Sequence, residues 1–402
     1  MAFDICIVGA GLWGTAAARY ASVLADKVCL IGPVEPNKED RPSRDIFASH
    51  YDAGRNVRKY QSTDHILSLL TMRTFKSLGE LEESTGVTFK SDKGHIISGS
   101  RIEKIFAPIA KEEGIFLTAD CVRHRYPFLD TSGYGDTSVL FPDNAGHVNP
   151  RRLVWAQQKA AIRQHCRIID DVVESVEDWN EVGGEPLMRV LTKNELVLYA
   201  KKVLLCTGLF TQFKNLLPPS LKLDLAIDGT FTVKLEVGEG DLEKLCTMPS
   251  LASFSDLPER DYYIVPPVRY PDGKFYVKIG PQYQDQSRLS TLKEVKNWFL
   301  SQPDPELVVK FRDILLSIVK GFNPVSVQTD MCACTRTPTG LPYCDMLSPR
   351  LGLAIGGNGY GAMISDEMGR MAAEMIAGEE KWNRDIPREK LKARFAPPSS
   401  NL

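Results

Sequence analysis

Phe3-Asp4-Ile5-Cys6-Ile7-Val8 runs into Gly9-Ala10-Gly11-Leu12-Trp13-Gly14, then into the alanine-rich Thr15–Ala25 and the apolar Lys27–Ile31. A strand that is apolar on both faces belongs in a parallel sheet covered by helices. Here one such strand meets a glycine turn, a helix and a second apolar strand. Gly9, Gly11 and Gly14 fit the G-x-G-x-x-G spacing of a dinucleotide turn. The first glycine makes the turn, the second lets the backbone approach a pyrophosphate, and the third lets helix and strand pack closely. The N–H groups and positive end of the helix then face the phosphates. An acidic residue roughly 20 positions further on ordinarily holds the ribose. The second strand ends instead at Gly32-Pro33. Glu35 is the nearest acid, either as that ligand or as a solvated loop carboxylate.

The remaining 370-odd positions of the 402-residue chain are too many for one simple core, and about two domains are expected. A hydrophobic content of 43% with 25% charged residues is ordinary for a soluble globular protein. A net charge of -2 gives no basic field for nucleic acid or an anionic membrane. No apolar run approaches the roughly 18 residues of a membrane span. No signal peptide is read either, because the first apolar run is the strand of the glycine unit. Nine cysteines are scattered, with Cys6, Cys29 and Cys206 in apolar runs. That is buried-thiol usage in a reducing compartment, so a cytoplasmic location is expected. The six histidines show no metal-ligand spacing, and no metal site is expected.

Apolar strands return at Lys202–Gly208 and at Leu351–Ile355, the latter meeting Gly356-Gly357-Asn358-Gly359-Tyr360-Gly361 and a helix over Ala362–Ala377. Between them, Gly229–Val237, Asp261–Val268 and Lys274–Gly280 alternate like antiparallel strands, with a Pro271-Asp272-Gly273 turn. Further helices are predicted over Thr63–Thr85, Glu103–Glu113, Arg151–Gln164, Thr291–Leu300 and Pro305–Val319. Thr88–Ser98, Arg167–Glu177 and Val325–Thr337 read as strand, and Leu187–Leu191 with Glu195–Tyr199 as a hairpin. Arg55 and Arg58 fall on one side if their segment is helical, where they would grip an anion. Spacing alone favours two surface arginines on a loop.

In order along the chain, the glycine turn, Ser49-His50 leading to Arg55 and Arg58, Leu205-Cys206-Thr207-Gly208, Val277-Lys278-Ile279-Gly280, Cys332-Ala333-Cys334-Thr335-Arg336-Thr337-Pro338 and the last glycine run resemble the flavin amine oxidases of the D-amino-acid-oxidase superfamily. Monomeric sarcosine oxidase and pipecolate oxidase are the nearest likeness. The resemblance implies an α/β + α+β fold, with a Rossmann-like FAD-binding domain (1–90, 140–218 and 321–395). A mixed/antiparallel β-sheet substrate domain (91–139 and 219–320) is inserted in it, and 396–402 is a loose tail. It implies FAD, joined through sulfur at its 8α carbon to Cys332, with Cys334 competing for that role. Glycines 9, 11 and 14 with Leu12, Trp13, Glu35, Ser49, His50, Thr207, Gly208, Gly357, Asn358, Gly359, Tyr360, Gly361 and Met363 would bind the cofactor.

The same resemblance places Lys278 near flavin N5, helping oxygen react, and Arg55 and Arg58 beside flavin and substrate. Tyr51 and Gln282 stand where sarcosine oxidase has histidines. Met363 stands where those oxidases carry a carboxylate-binding lysine. Arg336 or Arg269 would supply a relocated cation, or Met363 with Tyr360 would form an apolar, aromatic surface for a bulkier amine. The implied activity is oxidation of a secondary or tertiary (N-methyl or cyclic) amine carrying an anionic group. The imine product hydrolyses, and O2 is reduced to H2O2. The alternatives are a same-fold dehydrogenase with a protein acceptor, or a non-catalytic flavin- and amine-binding protein. A monomer is compatible with the sequence. Ser400-Asn401-Leu402 resembles a degenerate peroxisomal tripeptide.

Overall fold

The computed structural model describes residues 2–59, 64–102, 114–134, 137–180, 184–282, 287–378 and 385–397. The helix expected over Glu103–Glu113 and the tripeptide Ser400–Leu402 lie outside them. The opening unit forms as read: β1 (Phe3–Val8), α1 (Leu12–Leu24) and β2 (Val28–Ile31). β1 runs parallel to β2 and to the strand Val197–Leu205, with Ile7 opposite both Leu30 and Leu204. Ile5 to Val8 and Val28 to Ile31 are all buried, as strands covered on both faces must be.

Val197–Leu205 corrects the sequence reading. The predicted second hairpin arm and the predicted return strand are one strand. Its first half pairs antiparallel with Leu187–Thr192, and its second half pairs parallel with Leu351–Ile355 on the same side. Arg167–Glu177 is likewise two strands, Arg167–Ile169 beside β2 and Val173–Trp179 at the other edge.

Helices cover this sheet through apolar contacts and meet one another at one buried carboxylate. Asp366, at the start of the helix Ser365–Ala377, accepts from Arg19 Nη2 at 2.7 Å, Tyr20 OH at 2.8 Å and Gln157 Nε2 at 2.6 Å, and from Ser77 Oγ. Those donors come from α1, from the helix Pro150–Arg163 and from α2 (His65–Thr85). Gly369 lets α1 approach its partner: a Cβ there would lie 2.3 Å from Ala16 Cβ and 2.7 Å from Ala17 N. Asn149 Oδ1 caps the helix Pro150–Arg163 by accepting from Arg152 N at 3.1 Å, with Pro150 in the first turn.

A second eight-stranded sheet runs in the order Val327–Arg336, Ala226–Glu236, Phe275–Pro281, Tyr262–Arg269, Ser250–Ser253, His95–Ser98, Thr137–Phe141, Ile115–Thr118. It is mixed, since Ser250–Ser253 runs parallel to His95–Ser98. The strand Val327–Arg336, assigned with 321–395 to the nucleotide domain on sequence, is paired along its length to this sheet, Thr230 opposite Cys332. Phe311, Leu315 and Ile318 of the helix Pro305–Ile318 pack under it against Phe231, Val233 and Ile279. Thr88–Ser98 is not one strand either. The chain turns at Gly94 (φ 83), so Lys90–Ser91 joins a three-stranded sheet while His95–Ser98 joins the large one. No helix among the described residues is long and apolar enough to cross a membrane.

Candidate active site

A cavity of about 970 Å³ opens where the two large sheets meet, and both glycine runs line it. The glycines of the first turn do different things. A Cβ on Gly9 would lie 2.5 Å from Cys206 O, and one on Gly14 would lie 1.8 Å from Gly9 O, so the fold itself requires both. A Cβ on Gly11 would meet only His50 Nδ1, at 3.9 Å. The middle glycine therefore leaves bare backbone toward the cavity at a helix N-terminus. His50 is buried and its Nδ1 has no partner among the described residues. Burial, helped by the Arg151 charge, pulls its pKa down to about 3, so the imidazole is neutral.

Trp13 Nε1 donates to Gly361 O at 2.8 Å and fastens the first glycine turn to the last. Leu12, Ser49, Thr207, Gly208, Gly357, Gly359, Tyr360 and Met363 share the wall. Asn358 lies on the wall too, but its side chain serves its own loop. It sits at φ 49, accepts from Thr337 N at 2.8 Å and donates to Gly356 O at 2.8 Å. Bare backbone at a helix N-terminus and a buried imidazole nitrogen with no partner among the described residues fit the diphosphate and hydroxyls of FAD.

Glu35 departs from expectation. It is not on the cavity wall, and its two oxygens accept from Arg151 Nε and Nη2, both at 2.6 Å. The reason begins at Gly32, where a Cβ would lie 2.4 Å from Ala10 N. The chain leaving β2 is pressed against the glycine turn, so position 32 cannot carry an acid.

Arg55 and Arg58 are not helical. They form β3 (Arg55–Arg58), antiparallel to Ala145–Val148, and both line the cavity. Arg58 is 4% exposed with its guanidinium 5.7 Å from the centre of the Phe254 ring. Burial pulls its pKa down to about 10, which leaves it charged at neutral pH.

Arg55 belongs to a buried cluster built on Asp52, a residue the sequence reading passed over. Asp52 Oδ2 accepts from Lys278 Nζ at 2.5 Å and pairs with Arg55. Asp52 Oδ1 accepts from Tyr270 OH at 2.8 Å and Ala53 N at 2.7 Å. Burial pushes the Asp52 carboxyl up, but the Arg55 and Lys278 charges outweigh it and hold the group well below the usual carboxylate range. Lys278 is 1% exposed and also donates to Gly54 O. Burial pulls its pKa down to about 8 against the opposing pull of Asp52. Contrary to the expectation of an ammonium facing the cofactor, Lys278 is not on the cavity wall; Arg55 is.

Cys332, Cys334 and Arg336 alternate along one strand and all reach the cavity, as positions two apart must share a face. Cys332 Sγ lies 3.8 Å from Arg55 Nη2. Burial pushes the Cys334 thiol up to about 11. Arg336 Nη1 donates to Asn358 O at 2.7 Å, and its Nε lies 3.5 Å from Asp228. Arg269 is excluded as a relocated cation. It is exposed at the hairpin tip, with Nε 3.3 Å from Gly273 O, and off the cavity wall. Gln282 and Tyr51 are on the wall. Gln282 Nε2 is committed to Ser253 O and Tyr262 O, both at 3.1 Å. Tyr51, pushed up to about 12 mainly by burial, keeps its proton. Met363 packs in the core beside Trp13 while touching the cavity.

Arg101, Asp228, Phe254 and Tyr263 also line the cavity and were not singled out from sequence. Of the missed residues, only Asp52 had a readable signal, an acid three positions before Arg55.

Comparison with known proteins supplies the family. Residues 4–375 match the model for FAD dependent oxidoreductases (DAO). A search of curated protein sequences returns no significant match. Among solved structures the chain is similar to NikD, an unusual amino acid oxidase essential for nikkomycin biosynthesis, at TM-score 0.76 and 18% identity over 99% of this chain and 98% of that one. It is similar to L-proline dehydrogenase from P. horikoshii at TM-score 0.74 and 16% identity, over 97% and 96% of the two chains. It is similar to iminodiacetate oxidase (IdaA) from Chelativorans sp. BNC1 at TM-score 0.72 and 15% identity, over 97% and 99%. At such identities the structures speak for the fold, while the family match extends from the first glycine strand to the last helix. The chain belongs to the FAD dependent oxidoreductase family.

Proposed function

We propose that this protein oxidises a secondary or tertiary amine bearing an anionic group to an imine that hydrolyses, with O2 reduced to H2O2. The observation that carries the reading is the position of Arg58: a charged, almost wholly buried guanidinium on the same cavity as both glycine runs and Cys332. The structural likeness to NikD, an amino acid oxidase, and to an iminodiacetate oxidase supports the amine class.

When bound, FAD supplies a two-electron acceptor for the hydride equivalent leaving the carbon beside the amine nitrogen. The first glycine turn, Ser49, His50, Thr207-Gly208 and the Gly357–Gly361 loop are the residues to hold it. Cys332 is the proposed point of covalent attachment to the 8α carbon, with Cys334 one strand repeat away. Arg58 binds the anionic end of the substrate as a fork of donors. Phe254, Tyr263, Tyr360 and Met363 exclude water around the amine, which favours its neutral, reactive form. Asp52 fixes the Arg55 guanidinium at the wall, where its charge stabilises negative charge developing on oxygen. Lys278 acts behind it, through Asp52.

The anchoring of Lys278 away from the wall favours a second reading, a dehydrogenase that passes electrons to a protein acceptor. An oxygen electrode and a dye acceptor separate the two across a panel of N-methyl and cyclic amino acids. Oxygen uptake with matching peroxide and carbonyl product is the expected result. Dye reduction without oxygen uptake selects the dehydrogenase, and neither response with any amine rejects amine oxidation altogether.

A further inference from the structure

We infer that Arg101 is a second anion-recognising residue of this cavity, and that its preferred ligands carry two acidic groups; the inference rests on the amine-oxidase reading above. Arg101 follows the strand His95–Ser98 and lines the cavity. It is fixed from two sides. Its backbone N donates to Phe254 O at 3.1 Å, and its Nη2 donates to Asp261 Oδ2 at 2.7 Å. Phe254 is also the residue over whose ring Arg58 lies. Phe254 thus joins the two arginines, with the Arg58 guanidinium over its ring and the Arg101 backbone on its carbonyl.

A guanidinium presents five N–H donors in a rigid plane. Asp261 takes one Nη of Arg101, and the other Nη has no protein partner among the described residues. Asp261 is 3% exposed, behind the arginine. Burial pushes its pKa up, with the Arg101 charge opposing. A carboxylate so placed orients the fork and supports the site from behind. The remaining cavity arginines have partners of their own: Arg55 pairs with Asp52, Arg336 donates to Asn358 O, and Arg288 pairs with Asp228. Arg58 and Arg101 are the two arginines tied to Phe254, and both line the cavity. Two arginines lining one cavity suit two carboxylates on one amine better than a single carboxylate.

The test uses the yellow holoprotein and thioether carboxylates, which mimic the amine without being oxidised. Dissociation constants are read from perturbation of the visible flavin band by methylthioacetate (one carboxylate), 2,2′-thiodiacetate and 3,3′-thiodipropionate (two carboxylates each). Wild type is expected to bind one of the dicarboxylates at least roughly tenfold more tightly than methylthioacetate. Arg101→Met should bring that preference to about parity, and Arg101→Lys, which keeps charge but loses the fork, to an intermediate value. Asp261→Asn should weaken it in part. Absence of the preference in wild type, or its survival in Arg101→Met, overturns the inference. If the methionine variant does not fold, survival in Arg101→Lys decides equally. Amine-dependent reduction without any dicarboxylate preference sinks this inference alone. A flavin band indifferent to every carboxylate sinks it together with the anionic-amine reading.

Discussion

Lys278 Nζ lies 2.5 Å from Asp52 Oδ2, and the same carboxylate pairs with Arg55. One anion thus holds two cations inside the protein, one on the cavity wall and one behind it. Removing the anion leaves both cations buried without compensation. Asp52→Asn, which keeps the shape of the side chain, is expected to lower stability by about 3–5 kcal/mol in urea unfolding. A loss under about 1 kcal/mol would show that the cluster is not the anchor described.

The Lys278 charge also gives a pH dependence of defined sign. Burial pulls its pKa from 10.5 to about 8. Between those values the unfolded chain holds a proton that the folded chain has released, so this group's contribution to stability rises with pH across that window. Lys278→Met removes the contribution. The urea midpoint of wild type minus that of the variant is expected to grow as pH is raised from about 8 to 10.5. A difference that stays flat or shrinks contradicts the assignment.

The glycines of the first turn should separate by substitution. Gly14→Ala puts a Cβ 1.8 Å from Gly9 O, and soluble yield is expected to collapse. Gly11→Ala meets only His50 Nδ1 at 3.9 Å, so the chain should fold while the ratio of visible to ultraviolet absorbance falls. Full flavin content in Gly11→Ala would mean that the bare backbone is not where the cofactor lies.

How much of this was legible beforehand depends on whether the signal was local. The β1–α1–β2 unit is a contiguous pattern of apolar runs and glycines, and it formed as read. The split at Gly94 and the fusion of Glu195–Tyr199 with Lys202–Gly208 into one strand were not legible. Both depend on which strands lie alongside, and alternation over a few residues carries no information about partners. Arg55 and Arg58 were found as a pair, but their spacing favoured a surface loop over a helix face, whereas the chain makes a strand that buries Arg58. Arg101, Phe254 and Tyr263 reach the cavity only through sheet order, and nothing in their own neighbourhoods marks them. The missing ribose acid had a physical reason at Gly32, where the close approach of Ala10 excludes any side chain.

The two cysteines of the Val327–Arg336 strand differ in surroundings, Cys332 beside the Arg55 guanidinium and Cys334 a strand repeat further on. Acid precipitation should leave yellow in the wild-type pellet and in Cys334→Ser, and release it from Cys332→Ser. Colour retained by Cys332→Ser but lost from Cys334→Ser would move the attachment to Cys334.

Anaerobic addition of acidic secondary and tertiary amines to the yellow protein tests the central claim most directly. Bleaching of the visible flavin band by at least one such amine is expected, with Arg58→Met needing roughly 10–100 times more of it for half-reduction. A band that stays oxidised with every amine, or an Arg58 variant that titrates like wild type, would contradict it.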